Sequence, residues 1–334
     1  MYALLCICLT LSALLALNAL ASALAGVMWR ALVPRVRGWD AGARARLLFA
    51  LRVSPPAAAA ALALALVVPA YLLHEPAHSG ERVGFKLLLL ACVSAAGVLL
   101  ACWRVARTWV ATRRLARDWM RRAEPFEVEG ARVPAFRIRH SFPVIAVVGV
   151  LRPRLFVASQ VFDALTPEEL AAALAHERGH VEGRDNLKRA LLQAGEDALL
   201  HAPLGSSLRR EWQRESEMAA DEFAAAAGPA AALDLASAIV KISKLIPRGA
   251  RPTLPAGAHL LGDGDDGTSR RVRRLLRLAS SAGGGRARGG IRARAPLGAA
   301  LCVCFVAAGA LVLTRPAVLM ATHVAIEQVV ERLR

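Results

Sequence analysis

The chain has 334 residues, of which 56% are hydrophobic, and a mean hydropathy of +0.41. These values exclude an ordinary soluble protein and predict membrane spans. The formal net charge of +17 at pH 7 does not indicate direct binding of nucleic acid. The arginines cluster beside apolar stretches, where the attraction of anionic lipid explains them.

Four apolar stretches are long enough to cross a lipid bilayer, namely residues 2–29, 55–73, 87–103 and 296–313. No basic residue precedes the first stretch and Arg30 follows it, which favours an uncleaved anchor over a removable signal peptide.

The distribution of arginine predicts the orientation of these spans. The first connection, residues 30–52, carries six arginines and a lone Asp40, whereas the second, residues 74–86, carries only Arg82 and Lys86 as cations. Short connections rich in arginine stay in the cytoplasm. The first connection is therefore predicted to be cytoplasmic and the second external, and the arginines after the third span hold the following region in the cytoplasm. Both termini are then external.

The second connection contains an HExxH pattern, His74-Glu75-Pro76-Ala77-His78. Proline removes a backbone hydrogen bond and clashes with the preceding turn of a helix. The two histidines are therefore interpreted as exposed loop residues. A weak external metal or proton sensor is the alternative.

A strand-rich piece is predicted after a basic juxtamembrane helix that runs to about Arg122. Residues 143–150 and 154–158 are rich in β-branched and small apolar residues, and the turn 151–153 separates them, which predicts a hairpin. The first of these strands is either a buried core strand or an edge to which an extended substrate adds as a further strand, and both descriptions can hold together.

A second HExxH pattern, His176-Glu177-Arg178-Gly179-His180, follows a strong helix-start signal. Thr166 is the predicted N-cap, Pro167 occupies the first helical position, and Glu169 completes a capping box. On a helix this pattern places two imidazoles one turn apart on one face with a carboxylate beside them, which is the geometry of a zinc hydrolase.

A catalytic zinc ion normally has three protein ligands, so a third is expected downstream. Residues 208–227 are predicted to form a helix, with an apolar face of Leu208, Trp212, Ala219 and Phe223, in which Glu217 and Asp221 share another face. Glu217 is interpreted as the third ligand, and Asp221 as the acceptor of a hydrogen bond from a ligand histidine. The alternative is a solvated acidic face, which suits the neighbouring Glu211 and Glu215 better.

The last part of the chain is predicted to return to the membrane. Residues 279–295 are rich in Gly, Ser, Ala and Arg and suit a flexible linker, which leads to the fourth span, 296–313, and a short external tail, 314–334. The tail is amphipathic, so it lies on the outer membrane face or binds a partner's helix. Four other histidines have no partner at ligand spacing and are left out of the site: His140, His201, His259 and His323.

The chain resembles peptidase family M56, which includes the membrane sensor-transducers of β-lactam resistance, and more distantly the M48 membrane peptidases. The similar segments are residues 147–154, 165–170, 176–180, 184–187, 217–221 and 271–276. The resemblance implies that His176, His180 and Glu217 bind Zn²⁺, that Glu177 is the general base, and that Asp221 supports a ligand. The better-known members continue into a large extracellular ligand-binding domain that this sequence lacks, so covalent sensing of a β-lactam is not expected.

The predicted fold is an α-helical integral membrane protein with about four transmembrane helices and a mainly-α, zincin-like α+β metallopeptidase domain. Residues 1–103 hold three spans with a basic cytoplasmic loop and a short external loop, and residues 104–278 form the cytoplasmic, gluzincin-like domain.

The predicted function is that of a membrane-embedded zinc-dependent endopeptidase in a signalling response, acting through zinc-activated water with Glu177 as general base. Its substrate is a cytoplasmic protein or peptide, by resemblance often a small DNA-binding repressor, and a homodimer is left open. The alternative is a non-catalytic membrane transducer that keeps the peptidase fold. An intramembrane protease is disfavoured, because the residues around His176 and His180 carry too many charges to lie in lipid.

Overall fold

The computed structural model of the protein describes residues 2–76, 83–128, 132–197, 203–246, 264–281 and 315–333. Its first helices are α1 (Tyr2–Val36), α2 (Ala41–Leu62), a π-helical turn (Ala63–Val67), α3 (Val68–His74) and α4 (Phe85–Met120). Four strands follow, β1 (Glu124–Phe126), β2 (Ala135–Ile138), β3 (Ile145–Val148) and β4 (Arg154–Ala158). The remaining helices are α5 (Ser159–Ala164), α6 (Pro167–Gly183), α7 (Asp185–Asp197), α8 (Pro203–Ala225), α9 (Pro229–Leu245), α10 (Gly264–Ser281) and α11 (Pro316–Leu333).

Three helices in the described part of the chain are long and apolar enough to cross a membrane: Tyr2–Val36, Ala41–His74 and Phe85–Met120. They contain the first three predicted spans and support a membrane-associated protein. The helices are longer than those spans because hydropathy detects only the part of a helix that is suited to lipid. The predicted fourth span lies outside the described residues, as does the predicted linker beyond Ser281.

The predicted basic connection between the first two spans is largely helical. Only residues 37–40 separate α1 from α2, and Asp40 caps α2 by accepting a hydrogen bond from the Ala43 backbone N–H at 2.7 Å. Helix α2 also continues through Pro55 and Pro56, which transmembrane helices tolerate. Most arginines of this region therefore lie on the ends of two helices.

The sheet has the order β1-β2-β4-β3, with β2 parallel to β4 and the other two pairs antiparallel. The predicted hairpin is confirmed, since β3 pairs with β4 from Ile145 opposite Val157 to Val148 opposite Arg154. Its turn requires glycine at position 149, where φ is 114° and a Cβ atom would lie 2.7 Å from the Arg152 carbonyl oxygen. Strand β3 is an edge strand of the sheet, and all four of its residues are buried.

A hydrophobic core covers the sheet and joins it to the end of α4 and to helices α5, α6 and α9. Buried residues from each layer meet there, including Phe156, Val161, Ala173, Ala238 and Ile242. Helix α4 packs with the other two apolar helices at one end and packs Trp119 against this core at the other. The sheet is therefore attached directly to one of the three helices that are long and apolar enough to cross a membrane.

The two ends of the helical bundle have different partners. At one end, the last turns of α1 and the first turns of α2 pack on α7 and α8 through Trp29, Leu48, Leu192 and Trp212. At the other end, the start of α1, helix α3 and the start of α4 pack on α11, whose Val330 is buried there. Helix α11 thus contacts the chain's own helices, at the end of the bundle opposite α8.

Candidate metal centre

Helix α6 begins as the sequence predicts. The Thr166 hydroxyl oxygen accepts a hydrogen bond from the Glu169 backbone N–H at 3.3 Å, and the Glu169 carboxylate accepts one from the Thr166 backbone N–H at 2.9 Å. This capping box is reinforced from α9, where Ser237 and Lys241 donate to the same carboxylate at 2.6 and 2.7 Å. The start of the helix that carries the HExxH motif is therefore firmly held.

The two histidines of this motif lie one turn apart on the buried side of α6. Their ring centroids are 4.8 Å apart, and the ring planes are nearly perpendicular, at 89°. The His176 side chain has no exposed surface, and Glu177 is 3% exposed. The Oε1 atom of Glu177 is buried and makes no hydrogen bond within the described part of the chain, so this carboxylate oxygen remains available to a substrate or a water molecule.

Helix α8 packs closely against α6 at Gly179. A Cβ atom at this position would lie 3.0 Å from the Ala220 Cα atom, so glycine permits the close approach of the two helices. Glycine weakens a helix by about 1 kcal/mol relative to alanine, and the packing between α6 and α8 offsets that cost. The approach brings Glu217 to both histidines, with Oε2 at 3.6 Å from His176 Nε2 and Oε1 at 3.5 Å from His180 Nε2.

The donor atoms of His176, His180 and Glu217 all lie within 4.8 Å of one another. Atoms bound tetrahedrally to zinc at about 2.1 Å are about 3.4 Å apart, so this spacing fits one ion. His180 Nε2 and Glu217 Oε2 are also buried and make no hydrogen bond among the described residues. Buried polar atoms are rarely left unsatisfied, and a zinc ion would satisfy both atoms.

The predicted alternative of a solvated acidic face on α8 is wrong. Asp221 is fully buried, and the Glu217 side chain is 12% exposed. Glu211 accepts a hydrogen bond from Trp29 of α1 at 3.0 Å, and Glu215 forms an ion pair with Arg44 of α2 at 2.8 Å. The predicted apolar face is only partly correct, because Leu208 and Trp212 are buried but Phe223 is 37% exposed.

Each motif histidine also faces a second carboxylate. His176 Nδ1 lies 3.0 Å from Asp221 Oδ1, and His180 Nδ1 lies 2.8 Å from Asp185 Oδ2, which also accepts a hydrogen bond from Ser216 at 2.6 Å. A carboxylate at Nδ1 fixes the tautomer that leaves Nε2 available for a metal. The sequence interpretation missed Asp185, because Arg184 interrupts the helical spacing with a left-handed conformation of φ 52°. In the sequence, the similarity of segment 184–187 to family M56 was the feature that could have indicated Asp185.

Arg271 of α10 completes the charged cluster. Its guanidinium donates two hydrogen bonds to Asp221, at 3.0 and 2.6 Å, and its Nη1 lies 3.3 Å from Glu217 Oε2. The arginine is only 7% exposed. No helical spacing relates residue 271 to residues 217 and 221. In the sequence, only the similarity of segment 271–276 to family M56 indicated that Arg271 belongs near the site.

Burial and neighbouring charges set the ionisation of these side chains. Burial raises the pKa of Glu177, although the two histidines oppose the change. Burial also acts to raise the pKa of Glu217 and Asp221, but histidine and Arg271 outweigh it and hold both pKa values well below their usual range. Burial and Arg271 lower the pKa of His176, yet the neighbouring carboxylates of Asp221 and Glu217 raise it to about 9. The two carboxylates beside His176 therefore favour its protonated form when no metal is bound.

A sequence model of peptidase family M48 matches residues 113–323, which are 211 of the 334 residues. The chain belongs to peptidase family M48. The match contains the sheet, the HExxH helix α6, helix α8 with Glu217, and α10 with Arg271. Members of this family are typically zinc-dependent, which supports a metallopeptidase, as predicted. Among curated proteins, no match to the chain was found.

The other histidines that the structure describes have partners outside this cluster. His140 contacts Trp119 and accepts a hydrogen bond from the Phe142 backbone N–H at 3.0 Å. His78, His201 and His259 lie outside the described residues. Helix α3 ends at His74, just before Pro76, as the sequence predicts. His74 itself is half-buried, however, so its interpretation as an exposed loop residue is wrong.

Proposed function

We propose that the protein is an integral membrane zinc endopeptidase of the M56 type, whose peptidase domain faces the cytoplasm. The observation that carries the proposal is the convergence of His176, His180 and Glu217 on one point beside the buried Glu177. Two histidines and one glutamate form the ligand set of several zinc peptidases and leave a fourth position open. The arginine-rich ends of α1 and α2 support the orientation.

The chemistry is peptide hydrolysis. A bound zinc ion supplies Lewis acidity, which polarises a peptide carbonyl and lowers the pKa of water. Glu177 accepts a proton from the attacking water, and it returns the proton to the leaving amine as the C–N bond breaks. Burial, which raises the pKa of Glu177, brings this base closer to the pH at which it works.

The surrounding residues position this machinery. Asp221 and Asp185 hold the two imidazoles by their Nδ1 atoms, so that both Nε2 atoms turn towards Glu217. Arg271 balances the charge of Asp221 and Glu217. Each of these three residues acts through a zinc ligand and is therefore a positioning residue.

Strand β3 is proposed to bind the substrate in an extended conformation. It is an edge strand of the sheet and contacts α6, the helix that carries the HExxH motif. Peptidic ligands commonly bind by adding a strand to the edge of a sheet. The Asn186 side chain already donates to the carbonyls of Val147 and Gly149, each at 3.0 Å. Addition is therefore proposed at the Ile145 end of the strand, and because β3 is buried, the residues that cover this end must move when the substrate binds. The proposed substrate class, a small cytoplasmic repressor, rests on the family resemblance.

The test measures zinc content and cleavage in detergent-purified full-length protein. We expect His180→Ala to hold about one zinc ion less than the wild type, and Glu177→Gln to lose none, because the base is not a ligand. With a proteome-derived peptide library as probe, the rate at which cleavage produces new N-termini should be about 10²- to 10⁴-fold lower in Glu177→Gln than in the wild type.

The matched control is Glu168→Gln, an exposed glutamate on the same helix, which should cleave like the wild type. Undiminished cleavage by Glu177→Gln would rule out the mechanism. Equal zinc content in the wild type and His180→Ala, even after reloading, would favour the non-catalytic transducer.

A further inference from the structure

Glu75, from the rejected HExxH copy in the second connection, belongs to a second group of potential metal ligands. Glu75, which directly follows α3, approaches His323 and Glu327 of α11. One donor atom from each of these three residues lies within 4.8 Å of the other two. The residues come from distant parts of the sequence, so no motif predicts the cluster.

His323 lies on the buried face of α11, which otherwise packs through apolar residues such as Leu319 and Val330. It is 7% exposed, and its Nε2 atom lies 3.4 Å from Glu327 Oε1. Its Nδ1 atom is buried and makes no hydrogen bond within the described part of the chain. An unsatisfied buried ring nitrogen costs free energy, and the described residues therefore do not satisfy both nitrogens of this imidazole.

A second imidazole lies beside this group. The His74 ring stacks on the His323 ring, with centroids 5.7 Å apart and an interplanar angle of 27°. His74 Nδ1 lies 3.1 Å from the Ala70 carbonyl oxygen, which can only accept, so Nδ1 carries the proton. The lone pair is then on Nε2, as in many metal-binding histidines.

We propose that Glu75, His323 and Glu327, with His74 beside them, form a second metal site that binds a zinc-type divalent cation. Imidazole ligands favour zinc and related transition metals over magnesium or calcium, and two carboxylates balance the charge of a divalent ion. The 3.4 Å between His323 and Glu327 already matches the spacing of about 3.4 Å around tetrahedral zinc. The Glu327 side chain is 61% exposed and can adjust as the ion binds.

The site lies at the end of the helical bundle opposite the peptidase centre, because α3 and α11 meet there with the start of α1. An ion at this position connects the end of α3 to α11 and stabilises the folded protein by mass action. The predicted topology places this end outside the cell. The second site does not depend on the proposed peptidase function.

The experiment counts bound zinc in detergent-purified full-length protein that has been stripped with a chelator and dialysed against Zn²⁺ alone. Two zinc ions are expected in the wild type, one in His180→Ala, and one in Glu327→Gln at limiting zinc. In the His180→Ala background, Glu327→Gln or Glu75→Gln should weaken zinc binding at least about tenfold. Replacing a residue that only supports a metal ligand typically weakens metal affinity about 10- to 100-fold, so loss of a ligand should cost no less. Zinc should raise the thermal midpoint of His180→Ala more than that of His180→Ala/Glu327→Gln.

Glu331→Gln is the matched control, because Glu331 is an exposed glutamate one turn further along α11, and it should bind zinc like its parent. The proposal is overturned if His180→Ala binds no zinc, or if Glu327→Gln and Glu75→Gln leave its zinc affinity unchanged. Neither substitution removes a buried residue, so misfolding does not obscure the result. The difference between the wild type and His180→Ala reports on the peptidase centre alone, so failure of one site is distinguishable from failure of the other.

Discussion

Arg271 determines the charge balance of the peptidase centre at the scale of single residues. Its guanidinium donates two hydrogen bonds to Asp221 and forms an ion pair with Glu217. All three side chains are largely or fully buried. A buried carboxylate is stable only when it is paired and hydrogen-bonded. The same arginine therefore stabilises the fold and keeps Asp221 ionised for His176.

Replacing Arg271 by methionine should weaken both zinc binding and folding. Among the described residues, Asp221 would keep His176 alone as a partner, and we expect about 10- to 100-fold lower zinc affinity. The free energy of unfolding should fall by about 3–5 kcal/mol, the usual cost of breaking a buried ion pair from one side. Chelator competition measures the first quantity, and chemical denaturation in detergent measures the second.

Two variants control this prediction. Arg271→Lys keeps the charge but loses the two-pronged guanidinium geometry, so an intermediate effect is expected. Arg273→Met changes an exposed arginine of the same helix and should have no effect. Wild-type zinc affinity in Arg271→Met would contradict the assigned role.

At the scale of elements, the first turn of α6 is joined to α9 by the Glu169 carboxylate. Burial acts to raise the pKa of this group, but hydrogen bonds from Lys241, Ser237 and the Thr166 backbone outweigh it and lower the pKa below its ordinary value of 4.5. A depressed folded-state pKa means that the stabilisation is fully present above pH 4.5. It is lost as the pH falls through the lower, folded-state value.

Glu169→Gln tests this contact, because glutamine preserves the capping box but not the charge that faces Lys241. We expect a loss of about 1 kcal/mol at neutral pH, since Lys241 stays partly exposed and water weakens the ion pair. The difference from the wild type should shrink below pH 4.5. Thermal midpoints between pH 7 and pH 3 measure it, with the exposed Glu168→Gln as control. A difference that is independent of pH would show that the charge is not the cause.

At the scale of the whole molecule, helix α8 links two of the candidate membrane-spanning helices, α1 and α2, to the peptidase centre. One side of α8 presents Glu217 to the histidines, and another side binds α1 and α2. Glu215 pairs with Arg44, and Glu222 accepts a hydrogen bond from the Ala41 backbone N–H at 3.2 Å. A displacement of α2 would therefore reach the proposed third zinc ligand through a single helix.

Breaking the Arg44–Glu215 pair should loosen this connection. The two side chains are 17% and 14% exposed, so Glu215→Ala would leave the Arg44 guanidinium largely buried without its carboxylate. We expect a loss of about 3 kcal/mol in the free energy of unfolding, together with faster zinc loss. Denaturation and zinc-release kinetics in detergent check both effects.

The control is the double variant Arg44→Met/Glu215→Leu, which removes both charges. Replacing a buried pair by apolar residues is often neutral or stabilising, so most of the loss should be recovered. If the double variant were as unstable as Glu215→Ala, the ion pair would not account for the effect.

Local patterns were sufficient to predict much of this protein. The capping box at Thr166 and Glu169, the hairpin of β3 and β4, and three apolar helices all follow from neighbouring residues. Helical spacing also predicts that His176 and His180 share a face, and that Glu217 and Asp221 do. These features are readable because they depend on interactions within a few turns or one strand pair.

Only the tertiary structure decided which of these faces meet. Asp185 reaches His180 through a left-handed residue, Arg271 reaches Asp221 from another helix, and His323 meets Glu75 from the far end of the chain. Spacing along one helix determines which side chains share its face, but contacts between helices depend on their packing. Gly179 against Ala220 shows this directly, because that close approach brings Glu217 to the two histidines.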